Sequence, residues 1–342
     1  MKAVVFQQHG GPEVLQYGDA PQPAPRPGEV LVRVRACALN HLDLWVRGGL
    51  PGVPIPLPHI PGSDVAGEIA EVGAGVTRVK AGQKVVLAPG VTCGKCLPCL
   101  SGNDNKCREF TNLGYLIDGG CAEFVRCPEV NCLAYPENLT FEQAAAVPLV
   151  FQTAWHMLVA RAELQPGEEV LVLGGGSGVG SAAIQIAKFF GARVIATAGS
   201  EEKLAKAREL GADEVIDHKK QKIREQVKRL TNRRGVDVVF EHVGTATWDE
   251  SVASLATGGR LVTCGNTTGY DAKIDLRFLF SRQLSLLGSY MGRKSELHTV
   301  MKLVAEGRLQ PVVDRVFPLS SCAEAHAYLD AGKQFGKVVL AV

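Results

Sequence analysis

The spacing of apolar residues changes abruptly within residues 169–187. Residues 170–173 form a short apolar run, which predicts a buried strand, and a cluster of glycines follows it. Beyond the glycines, apolar residues recur at three- and four-residue spacings: Ala183, Ile186, Ala187 and Phe190. This spacing predicts a helix that ends at Gly191. Strand, glycine turn and helix N-terminus together predict a phosphate site, because free N–H groups and the positive end of the helix dipole face the anion.

The glycine cluster departs from the G-x-G-x-x-G spacing of dinucleotide-binding turns. Aligned on its last glycine, the three positions are Gly175, Ser177 and Gly180. A glycine-rich turn alone would also fit an ordinary connection between a strand and a helix. Further strand patterns follow, with helical segments between several of them: residues 193–198, 214–217, 236–243, 260–265 and 284–290. This alternation predicts a doubly wound parallel sheet, for which dinucleotide binding is the leading interpretation.

The chain before and after this region has a different pattern. Short strand patterns separated by Pro- and Gly-containing turns lie at residues 2–6, 29–36, 65–72, 84–87 and 122–127. A helical pattern begins at Thr140, breaks at Pro148 and resumes from Thr153. The last part predicts a helix at 294–306, a strand at 312–317, a helix opened by a Ser321–Glu324 capping box and a strand at 337–342.

Composition is that of a soluble globular protein, and 342 residues suffice for two domains. The net charge of +2 does not decide for or against a nucleic-acid partner, and no long basic run suggests one. No apolar segment is long enough to span a bilayer, and the N-terminus lacks the apolar core of a signal peptide. We therefore expect a cytoplasmic protein with no nucleic-acid or membrane partner.

Four of the ten cysteines lie in one short loop. Cys93, Cys96, Cys99 and Cys107 follow the spacing C-x2-C-x2-C-x7-C. In a chain of this size without a secretory signal, clustered cysteines bind metal more often than they form disulfides. Four thiolates suit a closed tetrahedral zinc with no position left for substrate, so we expect one structural zinc per chain. An iron–sulfur cluster and four unrelated thiols are the alternatives.

Together these features resemble the medium-chain dehydrogenase/reductase superfamily over essentially the whole chain. Phrases such as Ala-Ala-Ala-Val-Pro-Leu and Phe-Gly-Lys-Val-Val-Leu look like its quinone oxidoreductase and zinc-type alcohol dehydrogenase branches. The resemblance implies a homodimer or homotetramer joined near residues 284–290, with an active site between two domains. It divides the chain into a GroES-like β-rich catalytic domain, a Rossmann domain and a C-terminal return to the catalytic domain: residues 1–150, 151–290 and 291–342.

Three departures from the zinc alcohol dehydrogenases concern the catalytic metal. Those enzymes bind a catalytic zinc through a Cys, the His of a Gly-His-Glu motif and a second Cys. Asn40, Ser63 and Phe151 stand at the three corresponding positions. None of these side chains is a good zinc ligand, and Asn40 matches the zinc-free quinone oxidoreductases. The resemblance therefore implies an active site of the reductase type beside a structural zinc of the dehydrogenase type.

A displaced metal site is the alternative, and it would support an alcohol dehydrogenase. Five metal-capable residues fall within one stretch around the expected active site: Cys37, His41, Asp43, His59 and Asp64. The competing interpretation places Cys37 in the core and His59 in a loop, with both aspartates forming hydrogen bonds. We favour that interpretation, since a metal site needs convergent geometry that the spacing does not show.

Without a catalytic zinc, nothing obvious lowers the pKa of a simple alcohol. Hydride addition to a conjugated carbonyl needs only positioning and stabilisation of the developing oxyanion. We therefore predict NAD(P)H-dependent reduction of a quinone, an enone or a similar small-molecule carbonyl. Asn40, His41 and Ser63 are the candidate catalytic residues, although His41 fits cofactor diphosphate binding equally well. Reduction of an enoyl thioester, suggested by Gly62-Ser63-Asp64, and a non-enzymatic NADPH-binding protein are further alternatives.

The resemblance also implies the cofactor contacts: Thr153, Gly175, Gly178, Val179, Gly180, Ser200, Lys203 and Gly265. Ala198 falls where zinc alcohol dehydrogenases have an aspartate that accepts hydrogen bonds from the ribose 2′-hydroxyl. No carboxylate there repels a 2′-phosphate, and Ser200 and Lys203 are suited to bind one. We therefore predict NADP, with NAD as the alternative. Ser200 also fits a helix cap, and Glu201 and Glu202 in the next turn weaken the attraction.

Overall fold

The computed structural model describes all 342 residues, which form two compact units. One unit combines Met1–Leu149 with Arg293–Val342, and the other is Val150–Gly292. The C-terminal segment therefore packs with the N-terminal part of the chain. No helix in either unit combines the length and the apolar composition that crossing a membrane requires.

Short strands dominate the N-terminal part of the first unit. They are β1 (Lys2–Val5), β2 (Gln16–Asp19), β3 (Glu29–Ala38), β4 (Asp64–Val72), β5 (Lys84–Leu87), β6 (Gly90–Val91), β7 (Thr111–Asn112), β8 (Phe124–Pro128) and β9 (Cys132–Ala134). The helices are α1 (His41–Gly48), α2 (Leu97–Leu100) and α3 (Phe141–Ala145), and the 3₁₀ turns are Pro12–Val14, Asp104–Lys106 and Glu129–Asn131. The five strands predicted here lie within two residues of their observed bounds.

Helices and strands alternate in the second unit. Its elements are α4 (Pro148–Trp155), the π-helical segment His156–Arg161, β10 (Glu169–Val172), α5 (Gly178–Phe189), β11 (Arg193–Ala198), α6 (Glu201–Glu209), β12 (Glu214–Asp217), α7 (Ile223–Leu230), β13 (Val236–Glu241), α8 (Trp248–Ser254), β14 (Leu255–Thr263), α9 (Leu276–Ser281) and β15 (Ser285–Gly288). Every strand pair is parallel, in the order β12-β11-β10-β13-β14-β15. The predicted doubly wound sheet is therefore confirmed.

The strand order in this sheet reverses direction between β10 and β13. Val170, Leu171 and Val172 of β10 are completely buried, because helices cover both faces of a parallel sheet. The glycine turn leaves the carboxyl end of β10 at this switch point. Open α/β sheets bind their ligands at such points.

The C-terminal segment adds its strands to the sheet of the first unit. It contains α10 (Lys294–Ala305), β16 (Val313–Pro318), the 3₁₀ turn Leu319–Ser321, α11 (Cys322–Asp330) and β17 (Lys337–Ala341). The sheet order is β16-β17-β3-β4-β5-β9, and β8 pairs with β3. Ala38 of β3 is paired with Val339 on one side and with Asp64 on the other. Residues near Ala38 on three adjacent strands are thereby brought together.

Two local predictions are wrong. The sequence predicted that the helical pattern resumes at Thr153 after a break at Pro148. In the structure, α4 begins at Pro148 itself. Proline suits the first helical position, where its missing N–H costs nothing. The predicted capping box at Ser321 does not form either, since the Ser321 side chain makes no cap hydrogen bond. A 3₁₀ turn leads directly into α11, so Ser321 lacks the extended backbone that a cap requires.

Candidate functional site

Three buried polar side chains meet where β3, β4 and β17 lie side by side. The ammonium group of Lys337 lies 3.0 Å from Asp64 Oδ2 and donates a hydrogen bond to Asn40 Oδ1. Asn40 Nδ2 in turn donates to Asp64 Oδ2 at 3.0 Å. The second carboxylate oxygen of Asp64 accepts from the backbone N–H of Leu149 at 2.9 Å. The charges are thus paired within the protein, which buried charges require.

Asp43 connects the segments that carry the candidate catalytic residues. One of its carboxylate oxygens accepts from the backbone N–H of Asn40 at 2.7 Å, and the other accepts from Gly62 at 2.9 Å. Burial raises the pKa of the Asp43 carboxyl group. Because Gly62 directly precedes Ser63, Asp43 holds the Ser63 segment against the N-terminus of α1. The predicted hydrogen-bonding role of Asp43 is therefore observed.

The candidate catalytic residues differ in their accessibility. Asn40 is 6% exposed, and His41, the first residue of α1, is half-buried with its ring edge-on to Trp45 at 5.6 Å between centroids. Ser63 is completely buried, and its hydroxyl has no hydrogen-bond partner within the protein. In the second unit, Phe151 is 1% exposed within α4. The structure thus brings Asn40, His41 and Ser63 into one region of the first unit.

The five residues of the alternative metal site have separate partners. Cys37 Sγ lies 4.0 Å from Cys121 Sγ within the core. His59 Nδ1 lies 3.8 Å from Asp118 Oδ1, on a buried loop. The two aspartates are occupied as described above. The one group of at least three His, Cys, Asp or Glu side chains with converging ligand atoms lies elsewhere in the chain.

That group is the four-cysteine loop. All its ligand sulfurs lie within 4.8 Å of one another, with 3.4 Å between Cys96 and Cys99 and 3.5 Å between Cys93 and Cys107. Tetrahedral zinc with Zn–S bonds of about 2.3 Å needs sulfurs roughly 3.8 Å apart. The four thiols therefore fit a zinc ion.

The surroundings of the loop also favour a bound metal. Backbone N–H groups of Lys95 and Cys96 donate to the Cys93 sulfur, an arrangement that stabilises the thiolate form that metals bind. Leu97 and Leu100 are 78% and 73% exposed, so the loop has little apolar core of its own. A loop of this kind depends on its metal for order.

The glycine turn after β10 is tightly constrained. A side chain at Gly180 would place its Cβ 2.3 Å from the carbonyl oxygen of Gly174, so only glycine fits. Ser177 caps α5, and its hydroxyl accepts from the Gly180 N–H at 2.9 Å. The N–H groups of Gly178 and Val179, the first two residues of α5, have no intrahelical partner and suit a diphosphate.

His242, which the sequence did not indicate, lies beside this turn. His242 Nε2 lies 2.8 Å from the carbonyl oxygen of Leu173 and 3.3 Å from Ser177 Oγ. A Cβ at Gly265 would lie 2.8 Å from the carbonyl oxygen of His242, so Gly265 also borders the region. Thr153 lies in α4, with its hydroxyl 4.0 Å from Met291 Sδ.

The carboxyl end of β11 carries the residues predicted to select the cofactor. Ser200 caps α6, because its side chain accepts a hydrogen bond from the Lys203 N–H at 3.3 Å. This contact is the helix cap given above as the alternative role of Ser200. Glu201 and Glu202 are paired with lysines: Lys220 at 2.9 Å and Lys206 at 2.8 Å. These pairs reduce the negative charge that the two glutamates present.

Two basic residues absent from the prediction lie at the same place. His218 and Lys219 cover Gly199, where an added Cβ would lie 2.9 Å from atoms of both side chains. Burial lowers the pKa of His218, the charge of Asp217 acts in the opposite direction, and the charges of Lys219 and Lys203 lower it further. In a parallel sheet the carboxyl ends of β11 and β12 lie side by side. The position of His218 and Lys219, just after the predicted strand 214–217, could therefore have indicated that they lie near the cofactor.

Comparisons with known proteins agree with this architecture. A family model described as a zinc-binding dehydrogenase matches residues 178–306, and an alcohol dehydrogenase GroES-like domain matches residues 26–137. A quinone oxidoreductase of Rattus norvegicus is 32% identical over 348 residues, which cover 99% of this chain and 97% of the relative. An acryloyl-coenzyme A reductase of Metallosphaera sedula is 35% identical over 345 residues, 99% of each chain.

A solved structure of an NAD-dependent alcohol dehydrogenase is 48% identical, covers all of both chains and superimposes with a TM-score of 0.97. This chain belongs to the medium-chain dehydrogenase/reductase superfamily. As a medium-chain oxidoreductase it uses NAD(P), and its two units are the GroES-like and Rossmann architectures that the sequence predicted. Relatives that are 32–48% identical carry the names of different activities, so the family alone does not identify the substrate.

Proposed function

We propose that this protein reduces a quinone, an enone or a similar conjugated carbonyl by hydride transfer, without a catalytic zinc. The buried Asn40–Asp64–Lys337 network carries the proposal. The ammonium group of Lys337 pairs with Asp64 and also lies against Asn40, which stands at the first zinc-ligand position. Asn40 Oδ1 accepts a hydrogen bond from that ammonium group. A divalent cation bound beside a buried positive charge would be repelled strongly. The site therefore suits a reaction that needs no metal.

Reduced nicotinamide supplies the hydride in such a reaction. When hydride adds to the β-carbon of an enone, negative charge develops on the carbonyl oxygen, which then takes a proton. His41 is the candidate proton donor, since it is partly exposed and lies at the N-terminus of α1. The positive end of the helix dipole there also stabilises an oxyanion. The unpartnered Ser63 hydroxyl is a second donor, reached only if its neighbours move.

A substrate panel tests this proposal. Quinones, enones, enoyl thioesters, aldehydes and alcohols are assayed with both nucleotides, and kcat/KM is compared across the classes. We expect conjugated carbonyls to exceed unconjugated aldehydes and alcohols by at least about a hundredfold, roughly 2.7 kcal/mol in transition-state stabilisation. A dominant alcohol dehydrogenase activity would contradict the proposal. No turnover with any class would support a non-enzymatic nucleotide-binding protein instead.

An enoyl thioester is the second candidate substrate. The acryloyl-coenzyme A reductase of Metallosphaera sedula is similar over nearly the whole chain, and the Gly62-Ser63-Asp64 segment resembles that of enoyl-thioester reductases. The same panel separates the two candidates. A thioester preferred at least tenfold over the matching enone ketone, about 1.4 kcal/mol, would favour this second function.

We further propose that the protein prefers NADPH. Ala198 places no carboxylate at the end of β11, while His218 and Lys219 lie against Gly199 and the Lys203 charge acts on His218. Lysine ammonium groups bind a phosphate through charge-assisted hydrogen bonds, and a ribose hydroxyl offers no such charge. The solved structure with 48% identity is that of an NAD-dependent alcohol dehydrogenase, so a preference for NADH is the main alternative.

The preference is tested with kcat/KM for NADPH and NADH on one accepted substrate. In Lys203→Ala and in Lys219→Ala, the NADPH/NADH ratio should fall about tenfold, as expected for one lost charge-assisted hydrogen bond. Lys228→Ala, which removes an exposed lysine of α7, is the matched control and should leave the ratio unchanged. Equal use of both nucleotides by the wild type, with no response in either variant, would show that NADPH is not preferred.

A further inference from the structure

The N-terminus of α10 is attached to the four-cysteine loop. The backbone N–H of Lys294 donates to Asp104 Oδ1 at 3.1 Å, and Asp104 lies in the loop between Cys99 and Cys107. This contact joins residues 190 positions apart in the sequence. The C-terminal segment therefore holds the loop in place.

The side chain of Lys294 is also fixed. Its ammonium group donates to Asn131 Oδ1 at 3.1 Å. Asn131 is completely buried, and its Nδ2 donates to the carbonyl oxygens of Ala88 and Gly90 at 2.8 and 2.7 Å. Because two backbone hydrogen bonds fix the Asn131 side chain, its oxygen holds the Lys294 ammonium group in one position.

The charges near this ammonium group include those of the loop. Burial lowers the pKa of Lys294, and the charge of Arg78 lowers it further, while Asp104 and Cys99 of the loop act in the opposite direction. Its hydrogen-bond acceptor, the Asn131 amide, is neutral. The Lys294 charge is therefore available to interact with the cysteine cluster.

We propose that Lys294 is the counter-charge of the four-cysteine zinc centre and slows the loss of zinc from it. The proposal rests on the structural zinc expected from the four thiols. Four thiolates around one divalent cation leave a net charge of about −2, which a partly buried site must offset. Lys95 and Lys106 belong to the loop but are exposed, so water and salt screen their charges. Lys294 is half-buried beside the loop, where screening is weaker.

The test measures zinc transfer from the full-length, zinc-loaded protein to the chelating dye 4-(2-pyridylazo)resorcinol. Lys294→Gln keeps a donor for Asn131 and removes the charge, whereas Lys294→Arg keeps the charge. Lys95→Gln is the matched control, with the same charge change at an exposed position of the loop. We expect zinc release about tenfold faster or more from Lys294→Gln. Release from Lys294→Arg and Lys95→Gln should stay within about threefold of wild type.

The other possible outcomes contradict either the role of Lys294 or the structural zinc itself. Wild-type release from Lys294→Gln, or equal acceleration in Lys95→Gln, overturns the role of Lys294. If Lys294→Gln does not fold, the zinc release of Lys294→Arg is used instead. A tenfold faster release from Lys294→Arg, which retains the charge, would also contradict the proposed role of Lys294. A wild-type protein without zinc refutes the structural zinc itself, and this is established by elemental analysis before any variant is compared.

Discussion

Lys337 places a positive charge beside the residue that stands at the first zinc-ligand position. Its Asp64 partner is completely buried, and Lys337 itself is 3% exposed. Removing one member of a buried ion pair leaves the other charge without compensation, which costs far more than losing a surface pair. The pair therefore determines both the stability of this region and the electrostatics of the site.

We expect Lys337→Met to lower the free energy of unfolding by about 3–5 kcal/mol, because Asp64 would remain buried without its counter-charge. Urea denaturation of the variant and the wild type measures the difference. Lys2→Met is the control, since its pair with Asp19 is exposed, and its unfolding curve should nearly coincide with that of the wild type. A Lys337→Met protein as stable as wild type would show that the buried pair is not needed.

The sequence predicted the three unusual ligand positions but not the role of Lys337. Asn40, Ser63 and Phe151 were identifiable because a family motif surrounds each position. Lys337 lies 297 residues from Asn40, and only the pairing of β17 with β3 brings the two together. No local pattern encodes a contact of that kind. The same reason explains why Lys294 and His242 were not predicted.

At the scale of the elements, the glycine turn and the four-cysteine loop show two ways of ordering a loop. The turn after β10 is ordered by backbone contacts, since Gly174 and Gly175 donate to Thr197 at 3.0 and 2.8 Å. The four-cysteine loop also has internal backbone hydrogen bonds, such as that from the Leu100 N–H to the Cys96 carbonyl oxygen at 3.0 Å, but it exposes its leucines and has little apolar packing. Its order should depend on bound zinc.

We expect Cys96→Ser to lose stoichiometric zinc and to lower Tm by roughly 5 °C, because a hydroxyl is a poor zinc ligand. Calorimetry and elemental analysis on one preparation give both values. Cys132→Ser removes a half-buried thiol outside the cluster and should retain zinc. Loss of activity from folded Cys96→Ser with an unchanged Tm would contradict a structural role for the loop.

Both elements form where the sequence predicted them, because their signals are local. The cysteine spacing and the strand–glycine–helix sequence are confined to short stretches, so chain connectivity alone places the groups near one another. The Ser321 capping box failed although it too was a local signal. The 3₁₀ turn that precedes α11 alters the backbone of Ser321, and the side-chain pattern does not reveal that geometry.

At the scale of the whole molecule, the second unit has an unpaired sheet edge. β15 is the last strand of the sheet, and the neighbouring α9 exposes three apolar side chains: Leu276 by 65%, Phe278 by 54% and Phe280 by 71%. An edge strand and an apolar surface of this kind favour association. A second copy of the chain is the partner implied by the family resemblance.

We expect a dimer or tetramer in solution, and Phe280→Asp should shift the mass measured by light scattering toward the monomer. A charge placed in an apolar interface is costly to bury, which explains the expected shift. Tyr17→Asp changes an exposed aromatic residue in the first unit and should leave the mass unchanged. A monomeric wild type at micromolar concentration would contradict the prediction.

We propose that the enzyme works with a structural zinc and without a catalytic one. The decisive measurement is the zinc content per chain of a purified preparation whose enone or quinone reductase activity is assayed at the same time. We expect about one zinc per chain at full activity. Two zinc ions per chain, with activity lost as the second ion is removed and restored on its return, would contradict it.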